Sequence, residues 1–435
     1  MVQKACLKCK TADATVLIRH AYYCQTCFIY AVVGKYRTII NKSKAIARIK
    51  GKVLLACSGG PSSIAMLHLT KDFMHVEPHQ KKKIQLLESA TICHIDESAL
   101  FQEQKDTAGY LERIAKEHFP KMDFITQPME DIFSSEFLGD QSFSSALKPV
   151  DGSNDYELLT QVIDQKLPST RNECAEALKS LFNGIGKNTA KEDLYWHIKQ
   201  AMLVNIARRE KCSYIFMADT ATRQAIKMIS MTSKGRGYSI PLDVGAENDV
   251  SFSDVAILRP MKDMLAKEIG LYNRFQGLDG FVTAPTNFGT RAPVKSSIEK
   301  LTEHFIATLD RGFPSTVSTI SRTTSKLTPS TDIDLNQTCA MCHMPYESGI
   351  EDWRRRITVS RTKDQDQSLA QETNNASSLI DVNESLCYSC QVNLKDYKSD
   401  TIEKLPPYIT QKILQEKKQD SLREQIKDFI LDDNL

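Results

Sequence analysis

The chain has 435 residues, of which 41% are apolar and 25% charged. That balance is globular; it excludes a collagen, a coiled-coil rod and a wholly disordered chain, and the length suits two or three domains. Net charge is +2, but residues 1–52 hold eleven Lys or Arg against the single acid Asp13, so that end carries +10 and the remainder −8. A charge so lopsided suits a polyanion such as nucleic acid, with a merely solvated basic face as the alternative. No stretch reaches the roughly 20 apolar residues a membrane span requires, so no membrane partner is expected. Residues 1–4 open no apolar signal core, which predicts a cytoplasmic protein. In that reducing compartment close cysteine pairs hold metal more often than they form disulfides.

In chain order the first feature is a double CxxC, Cys6 and Cys9 with Cys24 and Cys27. A basic helix is expected over 34–50, carrying Lys35, Lys42, Lys44, Arg48 and Lys50. The apolar run 52–57 reads as a buried strand that enters Ser58-Gly59-Gly60, and helical spacing resumes from Ser62. A strand at 90–95, a helix at 108–118 and a strand at 123–126 follow. Residues 134–169 are rich in Ser, Asp and Gly and read as an insertion. Helices are expected at 170–181 and 191–210, a strand at 213–218, a helix at 220–231, a strand at 255–258 and a helix at 261–275. Strands alternating with helices of this length predict right-handed βαβ units, hence an α/β domain over 35–300 on a parallel sheet. A Ser/Thr-rich linker is expected at 301–338. A second double CxxC, Cys339 and Cys342 with Cys387 and Cys390, brackets a polar stretch at 360–386 that is expected to be disordered. The amphipathic run 411–431 is expected to dock as a helix.

Four thiolates satisfy a tetrahedral zinc ion, and a CxxC hairpin offers two of them at the required angle. Cys6, Cys9, Cys24 and Cys27 have the spacing of a zinc ribbon, which makes residues 1–34 a module. Cys339, Cys342, Cys387 and Cys390 give a second module at 339–435, because the cost of closing a long loop grows slowly with its length. His343, beside Cys342, is a competing ligand. Closed four-thiolate sites are structural, since no position is left for substrate. Four thiolates also suit an iron–sulfur cluster or a redox role, and spacing leaves those readings open.

Ser58, Gly59, Gly60 and Ser63 stand where a strand gives way to a helix. Backbone N–H groups at such a turn cradle an anion such as pyrophosphate; the alternative is a tight turn that packs the helix on the sheet. No Gly-Lys-Ser/Thr follows, so this is not a Walker loop. Two further basic clusters suit RNA, because each sets charge beside an aromatic ring. One is Lys234 and Arg236 near Tyr238. The other is Arg354, Arg355 and Arg356 after Trp353.

These motifs together carry a resemblance. Ser58-Gly59-Gly60-x-x-Ser63 is similar to the loop Ser-Gly-Gly-x-Asp-Ser of the ATP-pyrophosphatase superfamily. The N-terminal double CxxC before a basic helix is followed by Ala218-Asp219-Thr220-Ala221-Thr222-Arg223 and Arg259-Pro260-Met261-Lys262. Then come Phe313-Pro314-Ser315-Thr316-Val317-Ser318-Thr319-Ile320-Ser321-Arg322-Thr323 and the C-terminal double CxxC. In order and spacing this resembles the cytoplasmic tRNA 2-thiolation protein 2 family. The resemblance implies a Rossmann-like ATP-pyrophosphatase (adenine nucleotide alpha hydrolase-like) sheet flanked by two zinc modules. It implies 2-thiolation of the wobble uridine in cytosolic tRNA-Lys, tRNA-Glu and tRNA-Gln. The chain would act as heterodimer partner of a catalytic thiolase, with sulfur from a thiocarboxylated ubiquitin-like carrier and a link to protein urmylation.

The same resemblance implies lost chemistry. Ser62, after Pro61, stands where the loop Asp would help to place magnesium-bound ATP. Region 191–197 lacks the cysteine pair of active thiolases, and no cysteine occurs between Cys212 and Cys339. Thiolation makes O2 of uridine a leaving group by adenylylation, after which sulfur displaces AMP. The first step needs phosphate positioning and Mg²⁺; the second needs a low-pKa thiolate or a persulfide. A weakly catalytic or non-catalytic subunit is therefore expected, with ATP binding through Gly59, Gly60 and Ser63 left open. Cys57, Cys93 and Cys174 are expected in the core. Two rivals are a self-sufficient ATP-dependent tRNA sulfurtransferase using Cys57 or Cys93, and a zinc-dependent scaffold without RNA contact.

Overall fold

The structure is a computed structural model. It describes residues 4–74, 87–101, 106–134, 137, 145–150, 157–284, 286–290, 292–329, 334–335, 337–347, 349–357 and 379–426. Among these the strands run, in chain order, β1 Val16–Ile18, β2 Ala21–Tyr23, β3 Gly51–Ala56, β4 Leu87–Asp96, β5 Asp123–Pro128 and β6 Ser145–Pro149. They continue as β7 Leu159–Asp164, β8 Cys212–Phe216, β9 Glu247–Asn248, β10 Ala256–Leu258 and β11 Leu379–Asp381. The chain forms two compact units, Met1–Met129 with Tyr195–Ser330 and Glu130–Leu194 with Thr331–Leu435.

The first unit is built on a six-stranded sheet of order β5-β4-β3-β8-β10-β9. All its pairings are parallel except β10 with β9, so the expected α/β class with a mostly parallel, Rossmann-like sheet holds. Val53, Leu54 and Leu55 of the central strand are fully buried, because helices cover both faces of a parallel sheet and leave no solvated side. Register sets Leu55 opposite Ile92 on one side and Phe216 on the other. The chain leaves β3 toward β4 and β5, whereas β8 lies on the opposite flank. The carboxyl ends of β3 and β8 therefore border the crevice at which such sheets bind ligands.

The expected basic helix 34–50 is two helices, Gln25–Lys42 and Lys44–Arg48. Ser43 divides them: its side chain accepts from the Ile46 N–H and caps the second, a role for which serine is favoured. The helix expected from 261 begins at Ala266, where Glu268 accepts from the Leu265 N–H. The segment 301–338, expected as a linker, carries the helices Ile298–Gly312 and Thr316–Thr324. Ile306 and Val317 from these pack with Ala225 and Ile226 of helix Ala221–Ser233. Apolar residues at helical spacing outweighed a Ser/Thr-rich composition.

The second unit has a three-stranded antiparallel sheet of order β11-β7-β6. The insertion 134–169 thus supplies β6 and β7, and β11 comes from within the stretch 360–386 expected to be disordered. Of that stretch, 360–378 lies outside the described residues. The Asp381 carboxylate accepts from the Leu158 N–H, and Val382 donates its N–H to the Leu158 carbonyl. Helix Arg171–Asn183 opens with a capping box of Thr170 and Glu173, the reciprocal arrangement that satisfies two end donors. Leu147, Leu178, Phe182, Leu386, Ile409 and Ile413 are buried here. Helix Pro407–Ile426 takes most of the expected docking run; 427–431 lies outside the described residues. No helix among the described residues is long and apolar enough to cross a membrane.

Candidate functional site

The two cysteine quartets assemble. In the first, the turn that bears Cys6 and Cys9 closes with Lys10 N–H donating to the Cys6 carbonyl, and Leu7 N–H donates to the Tyr22 carbonyl of the β1–β2 hairpin. Cys24 stands at the N-cap position of helix Gln25–Lys42, and Cys27 lies in its first turn. In the second, Cys339 N–H donates to the Met344 carbonyl, Ala340 N–H to that of Ser385, and Cys387 stands at the N-cap position of helix Tyr388–Leu394. Within each quartet the sulfurs lie within 4.8 Å of one another. Cys9 Sγ to Cys24 Sγ and Cys342 Sγ to Cys387 Sγ are each 3.9 Å. A tetrahedron with metal–sulfur bonds of about 2.3 Å has an edge of roughly 3.8 Å, so both donor sets fit. When bound, a metal ion ties a hairpin to a helix at each site. His343 is outside the second quartet; its ring sits 5.4 Å from that of Tyr408.

The loop after β3 is tightly packed. Gly59 has φ +79°, and a Cβ there would lie 2.0 Å from Thr283 Oγ1. The Thr283 N–H donates to the Gly59 carbonyl over 2.8 Å. Ser63 is buried and turns its hydroxyl back on the Gly60 carbonyl, and Pro61 opens helix Pro61–Met74 without an N–H. The Thr283 side chain packs directly against Gly59, so this turn requires a glycine for both its positive φ and the close approach. Ser58 alone of the four loop residues is exposed.

Across the crevice, the motif after β8 forms a buried ion network. Asp219 is 2.7 Å from Lys227 and 3.4 Å from Arg259 Nε. Burial opposes its ionisation, but the two cations hold the carboxyl below its ordinary pKa. Arg259 also donates to the carbonyls of Leu242 and Gly245. Arg223 and Lys234 both reach Glu299, at 3.1 and 3.8 Å. The network joins the two motifs, 218–223 and 259–262, that carried the resemblance; their burial as ion pairs had no signal in the sequence.

The candidate RNA residues divide sharply. Lys42, Lys44 and Lys50 are exposed. Arg48 is exposed and lies 3.1 Å from Asp249. Lys35 pairs with buried Glu268. Lys234 and Arg236 do not form an exposed basic loop: Lys234 has 9% of its side chain exposed, and Arg236 is buried with Nη2 2.7 Å from His197 Nε2. Arg354 is buried and donates to Gln391. Arg355 and Arg356 are exposed, and Arg355 lies 3.9 Å from Glu157 and 3.6 Å from Asp352. Beside the first quartet Leu7, inside the first CxxC, and Tyr30, three residues after Cys27, are exposed.

Residues 297–392 match the family described as Cytoplasmic tRNA 2-thiolation protein 2. Nearly the whole chain is similar to Cytoplasmic tRNA 2-thiolation protein 2-A of Xenopus laevis, at 28% identity over 99% of this chain and 95% of that protein. Cytoplasmic tRNA 2-thiolation protein 2 of Danio rerio is 27% identical over 100% of this chain and 95% of that one. That of Bos taurus is 29% identical over 99% and 93%. Among solved structures, the U34-tRNA thiolase NcsA from Methanococcus maripaludis with its 4Fe-4S cluster has 13% identity, covers 75% of this chain and 88% of that chain, and gives a TM-score of 0.49.

Proposed function

We propose, from the premise that the chain belongs to the cytoplasmic tRNA 2-thiolation protein 2 family, that it is the non-catalytic subunit of a heterodimer. At the coarser level it takes part in cytosolic tRNA thiolation. In the finer reading it works in the cytoplasm on the wobble uridine of tRNA-Lys, tRNA-Glu and tRNA-Gln. It holds tRNA for a catalytic thiolase that receives sulfur from a thiocarboxylated ubiquitin-like carrier. Zinc at both quartets is part of this reading, with an iron–sulfur cluster as the alternative donor-set match.

One observation carries the non-catalytic part. Four cysteines stand outside the quartets, and each is at most 4% exposed. Burial pushes the Cys57 thiol up, the Cys174 thiol up, the Cys93 thiol to about 12 and the Cys212 thiol to about 11. Such thiols hold almost no thiolate at neutral pH, and thiolate is the nucleophile. This speaks against a self-sufficient sulfurtransferase built on Cys57 or Cys93. What the chain offers instead is an exposed basic end, Lys42, Lys44 and Lys50, suited to phosphates.

The test is the 2-thiouridine content of cytosolic tRNA-Lys, tRNA-Glu and tRNA-Gln in cells lacking this chain, read on a mercury-affinity gel. Loss of the retarded band with the catalytic partner at normal level is expected. Restoration by a Cys57→Ser, Cys93→Ser double variant is expected as well. An unchanged band sinks the proposal; a band lost in the double variant, with its fold intact, makes this chain an enzyme.

A further inference from the structure

The outer face of the N-terminal cysteine module carries apolar and aromatic surface among cations. Tyr30, three residues after Cys27 on the same helix, is 67% exposed, and Leu7, between Cys6 and Cys9, is 62% exposed. The Lys8 ammonium lies 3.8 Å from the Tyr30 ring centroid. Lys4 sits 4.2 Å from the Tyr22 ring and donates to its hydroxyl. Asp13 is the one acid in the surrounding sequence 1–52. An exposed ring beside ammonium groups is complementary to an unpaired base and its phosphates.

A second observation points the same way. Gly34 is in the interior of helix Gln25–Lys42, one turn beyond Tyr30 on the same face. A Cβ at Gly34 would meet nothing within 4 Å, so packing within the chain does not call for a glycine. A mid-helix glycine weakens a helix relative to alanine. Its effect here is to leave bare backbone beside an exposed ring, and exposed Arg37 follows three residues on.

We infer that Leu7, Tyr30 and the bare surface at Gly34 form a stacking platform for an unpaired nucleotide of RNA, with Lys8 and Arg37 on the adjoining phosphates. The inference deepens the proposed tRNA role and rests on it. It differs from the phosphate-binding reading of Lys42 and Lys44, because stacking selects unpaired bases whereas charge alone holds duplex and single strand alike.

The experiment titrates the full-length chain against an unmodified tRNA-Lys transcript and against a blunt RNA duplex, over a range of salt. Tyr30→Ala is expected to weaken tRNA binding by roughly five- to 150-fold, the range for loss of one stacked base, with its salt slope and its duplex binding unchanged. Tyr30→Phe is expected to bind like the parent. Lys8→Ala is expected to lower the salt slope by about one. Gly34→Ala is expected to raise the melting temperature yet weaken tRNA binding. The platform is overturned where Tyr30→Ala and Gly34→Ala both bind tRNA like the parent while Lys42→Glu with Lys44→Glu does not; the tRNA role then stands. It is overturned also where Tyr30→Ala weakens tRNA and duplex equally, or spares RNA and instead releases the thiolase subunit in a pull-down. A parent chain that binds neither RNA overturns the tRNA-holding role and the platform together, whatever the thiouridine gel shows.

Discussion

The two cysteine quartets present the same donors in opposite settings. In the N-terminal quartet Cys6 is buried but Cys9, Cys24 and Cys27 are half-exposed, and the turn around them shows Leu7, Lys8 and Lys10 to solvent. In the C-terminal quartet all four cysteines are buried, and so are Ala340 and Met341 between the first two. Arg354 and Gln391 are buried beside it, and Asn393 donates to buried Asp193 over 2.8 Å. One ligand chemistry therefore serves two ends. A metal ion in the first quartet would fix a hairpin against a helix beside a basic surface. One in the second would lie in the core of a unit whose strands come from distant parts of the chain.

The largest test of that contrast removes one ligand from each. Structural zinc in finger peptides is worth about 10–16 kcal/mol, as much as a whole domain's stability. Cys390→Ser should abolish cooperative unfolding of the second unit and open it to limited proteolysis. Cys9→Ser should leave the first unit folded, since Phe28, Val32, Tyr36 and Ile40 anchor its helix in the sheet's core. Metal analysis should find one of the two centres lost in either variant. Equal damage from both would erase the contrast.

A smaller effect separates the first unit's core from its cysteine module. Asp219→Asn leaves Lys227 and Arg259 buried without their carboxylate, and breaking such a pair costs about 3–5 kcal/mol. Because the Asp219 carboxyl is held below its ordinary pKa, its contribution is present above the unfolded value of about 3.9 and is lost as pH falls through the folded one. Denaturation at neutral pH should show the full gap from the parent, and the gap should narrow below about pH 4. Smaller again is Arg354→Ala, which leaves buried Gln391 Oε1 without this donor. A loss of about 1–3 kcal/mol is expected in the second unit, with tRNA affinity unchanged. A fall in affinity at unchanged stability would move Arg354 back among the RNA contacts.

How far the sequence could be read follows from the distance between partners. The strand entering Ser58-Gly59-Gly60 was legible because an apolar run and a glycine turn are local signals. The quartets were legible because two CxxC pairs announce their geometry within four residues each. The fates of the basic residues were not. Lys35 finds Glu268, Lys234 finds Glu299, Arg236 meets His197 and Arg354 meets Gln391. Each of those partners belongs to another element, so a cation destined for a buried pair looks the same in sequence as one left in water. The second unit was hidden for the same reason, since β7 pairs with β11 across more than half the chain. Helix Ile298–Gly312 was the avoidable miss: Thr302 and Ile306 are buried four residues apart on one face, a spacing that composition obscured.

The smallest stability effect makes the final test of the contrast. Lys42 and Lys44 are exposed and flank Ser43, the residue that divides the two N-terminal helices. Replacing both by alanine removes charge without disturbing the Ser43 cap, and surface changes of this kind stay within about 0.5 kcal/mol of the parent. If their ammonium groups lie on tRNA phosphates, each lost contact reduces the slope of log affinity against log salt by about 0.7–0.9. The double variant should therefore melt like the parent while its salt slope falls by roughly 1.5. Arg354→Ala should do the reverse. A parental slope in the lysine variant would take Lys42 and Lys44 off the phosphates and leave Lys8, between Cys6 and Cys9, to carry the electrostatic side of the contrast.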